Sequence, residues 1–274
     1  MTVAKAFTKG TPALVGYLPA GFPTVDGAIE AAQAMTAAGA DVIEIGLPYS
    51  DPLMDGPVIA EAVYRALAGG TKVGDVLRTV EAVASTGTPT LVMTYWNPVD
   101  QYGVENFARD LAKVGGAGLI TPDLTPEEAG PWLRASDEHG LDRVFLVAPS
   151  TTEERIEAIT GHCRGFVYAA SLMGITGTRA AVSGDAHSLV ARTRRHTDLP
   201  VAVGLGVRDG AQAREVGGFA DGVIVGSAFV QRLLAAPTPG LGVTAVADLA
   251  AELAAGVRAA ARPTERDGES VQHA

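Results

Sequence analysis

The sequence is poor in cysteine, lysine and aromatic residues, and these shortages exclude several classes of function. Its single cysteine, Cys163, rules out a disulfide framework. None of the four lysines falls at the end of a strand-like segment, which argues against a Schiff-base mechanism. The net charge of −10 provides no basic stripe of the kind that a nucleic-acid partner requires.

Long apolar runs and clusters of metal ligands are also missing. No stretch of 18 apolar residues occurs, and the first residues, MTVAKAFTKG, lack the apolar core of a signal peptide. We therefore expect a soluble, cytoplasmic protein with no membrane partner. The five histidines fall in helices, turns or the tail, and no His/Asp/Glu cluster offers a set of metal ligands, so we predict no metal and no cofactor in this chain.

Short apolar segments alternate with amphipathic stretches along the chain. Near-continuous apolar segments are typical of parallel strands that helices cover. About eight such strand–helix units predict a single (β/α)8 TIM barrel over residues 1–262. A doubly wound open sheet is the alternative, because the same alternation would produce it. The predicted strands are 13–18, 41–47, 90–95, 117–123, 143–149, 165–171, 200–206 and 222–227.

Three additions to the eight units are predicted. The longest interval, between strands two and three, leaves room for an extra helix near GPVIAEAVYRALAGG. We also expect an extra N-terminal helix and a short helix at GSAFVQRLL after strand eight. Residues 263–274 are polar and are expected to form a disordered tail.

An acid interrupts the apolar second strand in DVIEIGLPYSDPLMDGP. Side chains alternate along a strand, so Ile43, Ile45 and Leu47 should face the helices and Glu44 the barrel lumen. Burial there would raise the pKa of Glu44 towards neutrality, which suits general acid–base work. A structural glutamate with a lumen partner is the alternative. For Asp55 in the following loop, spacing leaves open both a chemical role and a turn-forming one.

Glycine-rich segments follow the last three predicted strands. They read SLMGITGTR, GLGVRDG and GSAF, and the last of these would open a helix at Gly226 and Ser227. Free N–H groups at a helix start bind anions, and barrels often hold phosphate after strands seven and eight. The segments therefore predict a phosphate-bearing substrate, although each glycine alone could belong to an ordinary turn.

The segment IEIGLPYSDPLMDGP closely resembles the signature of the tryptophan synthase alpha chain family. ALVGYLPAGFP, PDLTPEE, GITGTR and GVIVGSAF resemble further segments of that family in the same order, from about residue 10 to about residue 260. The resemblance implies a barrel that cleaves indole-3-glycerol phosphate to indole and glyceraldehyde 3-phosphate by a retro-aldol reaction.

The resemblance also implies roles for individual residues. Glu44 matches the glutamate that protonates C3 of the indole ring, and Asp55 the aspartate that holds the indole N–H. Leu172 departs from the family, in which several members carry Arg, and this bears on closure of the sixth loop. The remaining matches are Thr176, which bonds the aspartate as that loop closes; the phosphate-binding positions Gly177, Gly206, Gly226 and Ser227; and the indole-pocket positions Tyr17, Tyr95 and Tyr168.

The family works with a beta chain, which holds pyridoxal phosphate and joins indole to serine. The resemblance thus implies an alpha2-beta2 heterotetramer, with Asp51 and Pro52 near the interface. Three alternatives stay open: a stand-alone indole-forming lyase, a non-catalytic barrel that binds a phosphate ligand or only activates a beta chain, and a sugar-phosphate isomerase.

Overall fold

A computed structural model describes residues 2–171 and 179–260. Its nine parallel strands lie in the order β5-β4-β3-β2-β1-β9-β8-β7-β6. The strands are β1 Ala13–Pro19, β2 Val42–Gly46, β3 Thr90–Met93, β4 Gly118–Ile120, β5 Asp142–Val144, β6 Leu146–Val147, β7 Val167–Ala170, β8 Val201–Gly204 and β9 Gly222–Val225.

The sheet closes into a ring, which confirms the predicted barrel and excludes the open doubly wound sheet. The first strand pairs with the last, since Ala13 lies opposite Gly222. The predicted fifth strand is present as two short pieces, β5 and β6, separated at Phe145. β5 pairs with β4 and β6 with β7, and the Phe145 carbonyl accepts a hydrogen bond of 3.1 Å from the Tyr168 N–H across the break.

Helices cover the outside of the ring. The long interval between β2 and β3 contains two helices, α2 and α3, so the predicted extra helix is present. The helix predicted after the last strand is α10. The helices are α1 Val25–Ala37, α2 Pro57–Ala68, α3 Val73–Ala84, α4 Trp96–Tyr102, α5 Val104–Lys113, α6 Gly130–His139, α7 Glu153–Thr160, α8 Arg179–Thr193, α9 Gly210–Gly217, α10 Ser227–Ala235 and α11 Pro239–Arg258.

The predicted N-terminal helix is a short 3-10 helix, Val3–Phe7, that closes the bottom of the lumen. Val3 and Phe7 pack there with inward-facing strand residues such as Val15 and Val42. Asp142 anchors this plug, because its carboxylate accepts hydrogen bonds from the Val3 N–H (2.8 Å) and the Thr2 hydroxyl (2.9 Å). The lower half of the barrel is thus filled, and open space is left towards the carboxyl ends of the strands.

The longest helix, α11, also belongs to the packed outer layer. By length and composition alone it could cross a membrane, and in the described part of the chain it alone meets that test. It packs against α1, α9 and α10, and Leu249, Leu253 and Val257 bury its inner face. We interpret it as a core helix.

Close contact between β4 and β5 generates a prediction about stability. A Cβ atom at Gly118 would lie 2.1 Å from the carbonyl oxygen of Asp142, a backbone atom that cannot swing away. We expect Gly118→Ala to lower the free energy of unfolding by about 1–3 kcal/mol, as overpacking does in cores. Urea unfolding followed by circular dichroism measures it.

Gly74→Ala is the matched control for that substitution. Gly74 lies in α3, and a Cβ there would meet nothing within 4 Å. Since alanine favours helices over glycine, this change should stabilise the protein by up to about 1 kcal/mol. Equal effects of the two substitutions would contradict the packing explanation.

Candidate active site

Glu44 lies in the middle of β2, fully buried, with its side chain in the lumen. The predicted alternation is confirmed within β2, because Ile43 and Ile45 pack with the outer helices while Val42 packs inside the barrel. Leu47 was predicted to face the helices, but it follows the strand end at Gly46 and lines the cavity as well as the core. In the described part of the chain neither carboxyl oxygen of Glu44 has a hydrogen-bond partner. Burial without a partner raises its pKa from 4.5 to about 8. The alternative of a structural, partnered glutamate therefore has no support among the described residues.

Two tyrosines stand beside Glu44, and glycines on the neighbouring strands make room for them. A Cβ at Gly46 would lie 2.3 Å from the Tyr17 hydroxyl oxygen, and one at Gly204 2.6 Å from that of Tyr168. Burial raises the pKa of both phenols well above the ordinary value, and the nearby charge of Glu44 adds to the shift. Both hydroxyls are therefore protonated at neutral pH.

Asp55 occupies a different environment at the mouth of the lumen. The Tyr95 hydroxyl donates a hydrogen bond of 3.0 Å to its Oδ1 and accepts one of 2.9 Å from the Met54 N–H. Partial burial raises the pKa of Asp55, and the Tyr95 hydrogen bond opposes that shift. Burial raises the pKa of Tyr95 to about 12, so Tyr95 remains a donor. Tyr95 thus holds the loop and its carboxylate in place.

Asp123, in the loop after β4, anchors the backbone next to Tyr95. Its carboxylate oxygens accept hydrogen bonds of 2.9 and 3.1 Å from the Trp96 N–H, the first residue of α4. Asp123 is not among the site residues predicted from the sequence. The signal that could have identified it is its place shortly after a predicted strand, because the loops after the strands of a barrel form the active-site face.

One cavity of about 280 Å³ collects eight of the predicted site residues. It opens at the carboxyl ends of the strands, where active sites of this fold lie. Sequence analysis missed most of the apolar lining, although Met93, Leu146 and Ile224 share the inward parity of their strands. The predicted residues on the wall are Tyr17, Glu44, Asp55, Tyr95, Tyr168, Gly206, Gly226 and Ser227. The missed ones are Leu47, Met54, Ile59, Val63, Met93, Thr94, Pro122, Leu146, Ala170, Ser171, Gly204, Leu205 and Ile224.

The expected phosphate end is the part of the cavity wall formed by the loop after β8 and the start of α10. Gly206 follows β8 with φ of +70°, a conformation that favours glycine, and Gly226 caps the start of α10. The first N–H groups of a helix have no partner within it, so α10 presents donors to this end of the cavity. Leu172, Thr176 and Gly177 lie outside the described residues, as does the predicted tail.

The loop between β2 and α2 exposes apolar side chains next to the cavity mouth. Leu53 is 78% exposed and Met54 49% exposed. Asp51 is exposed as well, and its Oδ2 accepts a hydrogen bond of 2.6 Å from the Ser50 hydroxyl. Among the described residues that line the cavity, Asp51 is not present.

Other chemistries find little support in the described residues. No lysine lines the cavity, and burial raises the pKa of the Cys163 thiol to about 12, which makes it a poor nucleophile. Glu105, Glu138 and His139 come together away from the cavity, which the sequence did not predict because they lie on two helices. His139 and Glu105 pair at 2.7 Å there, and exposed groups of this kind are common without a metal.

Comparison with known proteins places these features in a family. The family model described as tryptophan synthase alpha chain matches residues 3–258. The tryptophan synthase alpha chain of Thermobifida fusca is 60% identical over 263 residues, which cover 95% of this chain and 97% of that protein. The one of Salinispora arenicola is 63% identical over 254 residues, which cover 93% and 95%.

Solved structures agree with the sequence relatives. A chain of tryptophan synthase from M. tuberculosis, in the aminoacrylate-bound form, is 51% identical with a TM-score of 0.85 and covers 93% of this chain and 99% of its own. Tryptophan synthase subunit alpha from Legionella pneumophila is 32% identical with a TM-score of 0.85, covering 94% and 99%. Both structures therefore match this chain over nearly its whole length.

The burial of Glu44 predicts a pH-dependent stability. Between the ordinary pKa of 4.5 and about 8, native Glu44 keeps its proton while the unfolded chain loses it. Stability contributed by this group is complete below 4.5 and falls as the pH rises through that window. Relative to Glu44→Gln, we expect the unmodified chain to lose about 1.4 kcal/mol per pH unit. Urea unfolding at several pH values tests this; a constant difference would mean that native Glu44 titrates like an exposed glutamate.

Proposed function

This chain belongs to the family of tryptophan synthase alpha chains, and from that premise we propose that Glu44 and Asp55 carry out its lyase reaction. The reaction is the retro-aldol cleavage of indole-3-glycerol phosphate to indole and glyceraldehyde 3-phosphate, a step of tryptophan biosynthesis. The observation that carries the assignment is the buried carboxyl of Glu44, which lies on the wall of a largely apolar cavity and has no hydrogen-bond partner in the described part of the chain.

Glu44 is the proton donor in this proposal. Carbon–carbon cleavage requires that C3 of the indole ring first gain a proton, and a pKa of about 8 keeps Glu44 protonated at neutral pH. When the bond breaks, its electron pair returns to the ring, while the carbinol oxygen loses its proton and becomes the aldehyde oxygen. The Glu44 carboxylate formed in the first step takes up that proton, so the group is restored after each turnover.

Asp55 stabilises the charge that protonation of C3 creates. The indolenine tautomer carries positive charge at the ring nitrogen, and a carboxylate close to that N–H offsets it. Asp55 is half-buried at the cavity mouth, and the hydrogen bond from Tyr95 favours its ionised form. In this proposal Glu44 is therefore the acid and Asp55 the carboxylate, because Asp55 has a hydrogen-bond donor and partial access to water, whereas Glu44 has neither among the described residues.

The remaining cavity residues bind the substrate. The apolar wall, with Tyr17, Tyr95 and Tyr168, accommodates the indole ring. Gly206, Gly226 and Ser227 bind the phosphate through backbone N–H groups at the start of α10, without any lysine or arginine. Thr176 and Gly177 complete this set by their match to the family's sixth loop.

The partner is the beta chain of the family, in an alpha2-beta2 complex in the cytoplasm. Support comes from the exposed Leu53 and Met54, which lie beside Asp51 and Pro52 at the cavity mouth. Pyridoxal phosphate belongs to the beta chain, and no lysine lines this cavity among the described residues to form an imine with it. Indole leaving the cavity would emerge next to that surface.

Turnover of indole-3-glycerol phosphate is the decisive test. We expect slow indole release by the purified chain that rises at least about tenfold with a tryptophan synthase beta chain. Glu44→Gln should fold normally and lose at least about a thousandfold in kcat, because an amide cannot transfer the proton. Fast release that ignores the beta chain would identify a stand-alone lyase. No release by the unmodified chain, with or without the beta chain, would overturn the proposed activity.

Substitutions at Asp55 and Tyr95 separate charge stabilisation from binding. Asp55→Asn removes the charge that offsets the cation, so we expect kcat to fall about a hundredfold or more with little change in KM. Tyr95→Phe removes only the supporting hydrogen bond and should lower kcat about five- to tenfold. Steady-state kinetics measure both. A rise in KM with kcat intact would assign Asp55 to ground-state binding instead.

A further inference from the structure

Tyr17 places its hydroxyl in the cavity close to Glu44, and the roles of Glu44 and Asp55 do not account for that hydroxyl. Its Cα pairs with that of Glu44 across β1 and β2, and both side chains point into the lumen. The Tyr17 hydroxyl lies over the lumen face of Gly46, 2.3 Å from where a Cβ would be. Gly46 is two residues beyond Glu44, about 7 Å along the strand. The hydroxyl therefore lies one layer above the Glu44 carboxyl, towards the cavity mouth.

The opposite edge of the Tyr17 ring lies at the phosphate end. A Cβ at Gly226 would be 3.2 Å from Cδ1 of Tyr17. In the sheet, β1 lies between β2, which carries Glu44, and β9, which leads to Gly226. A substrate with its phosphate at the start of α10 and its C3 at Glu44 must run its three-carbon chain across Tyr17.

That part of the substrate carries hydroxyl groups, and Tyr17 is suited to bind one. Its side chain is only 8% exposed, yet it lines the cavity. Burial, and then the charges of Asp55 and Glu44, raise the pKa of its phenol well above the usual value. The hydroxyl therefore keeps its proton and can donate it in a hydrogen bond.

We propose that the Tyr17 hydroxyl donates a hydrogen bond to the substrate hydroxyl on the carbon bonded to C3, an inference that rests on the proposed function. That oxygen becomes the aldehyde oxygen during cleavage. As the proton of that hydroxyl moves to Glu44, negative charge develops on the oxygen. The Tyr17 hydroxyl, held in place by its packing over Gly46, donates a hydrogen bond that stabilises this charge. Tyr17 is thus a further catalytic residue that recognises a hydroxyl group of the substrate's three-carbon chain. This role is separate from any packing of its ring against indole.

A ligand without the hydroxyls separates the two roles of Tyr17. In the Glu44→Gln background, which prevents turnover, binding of indole-3-glycerol phosphate and of 3-indolylpropanol phosphate is measured by calorimetry. Adding Tyr17→Phe should raise the Kd of the hydroxylated ligand about five- to tenfold and leave that of the deoxy ligand within about twofold. Equal changes for both ligands, or no change for either, would overturn the assignment.

Kinetics give a second and independent measurement. Tyr17→Phe alone should lower kcat/KM by about tenfold or more, with the larger part in kcat, because the charge develops in the transition state. Tyr64→Phe is the matched control, since Tyr64 is 70% exposed on α2 and should leave turnover unchanged. Unaltered kcat in Tyr17→Phe would refute a role in the chemical step. Failure of the proposed function is distinguishable, because then the unmodified chain itself would release no indole.

Discussion

The burial of one carboxyl group without a hydrogen-bond partner is the constraint on which the site depends. Glu44 sits in a closed ring of strands with a packed plug beneath it, so its side chain cannot reach bulk water. Its oxygens meet no donor among the described residues, and the neutral acid is therefore its stable form. A single basic side chain in the lumen would restore the ordinary pKa and remove the proton that the chemistry needs.

The second acid, Asp55, stands in a different environment from Glu44. Asp55 lies in a loop at the rim, where water reaches it and Tyr95 donates to it. Asp123 in turn fixes the backbone beside Tyr95. The barrel thus provides two carboxyl groups with distinct environments a short way apart along one strand and its loop. Pairs of acids separated in this way can act as donor and as fixed charge within one reaction.

Small residues on the strands determine where the polar groups of the cavity stand. Gly46 and Gly204 leave space that the hydroxyls of Tyr17 and Tyr168 occupy, each leaning over the neighbouring strand. An alanine at either position would push a phenol out of the lumen wall. The shape of the cavity therefore depends as much on absent side chains as on those that line it, and the phosphate end depends on glycine for the same reason.

By itself the sequence determined the alternation and the count of strand–helix units and the inward direction of Glu44, whereas closure into a barrel rather than an open sheet was decided by the pairing of β1 with β9. These features follow from local periodicity, because the side chains of a strand alternate between two faces. The face with only apolar residues is the one that packs against the helices. Several predicted strands run past their observed ends, and the break at Phe145 was not predicted, because both depend on hydrogen bonds with neighbouring strands. The same limit applies to Asp123 and to the glycine–tyrosine contacts, which join residues far apart in the chain. Only the tertiary structure decided that Glu44 has no hydrogen-bond partner among the described residues, because the absence of a donor depends on all the strands around the lumen at once.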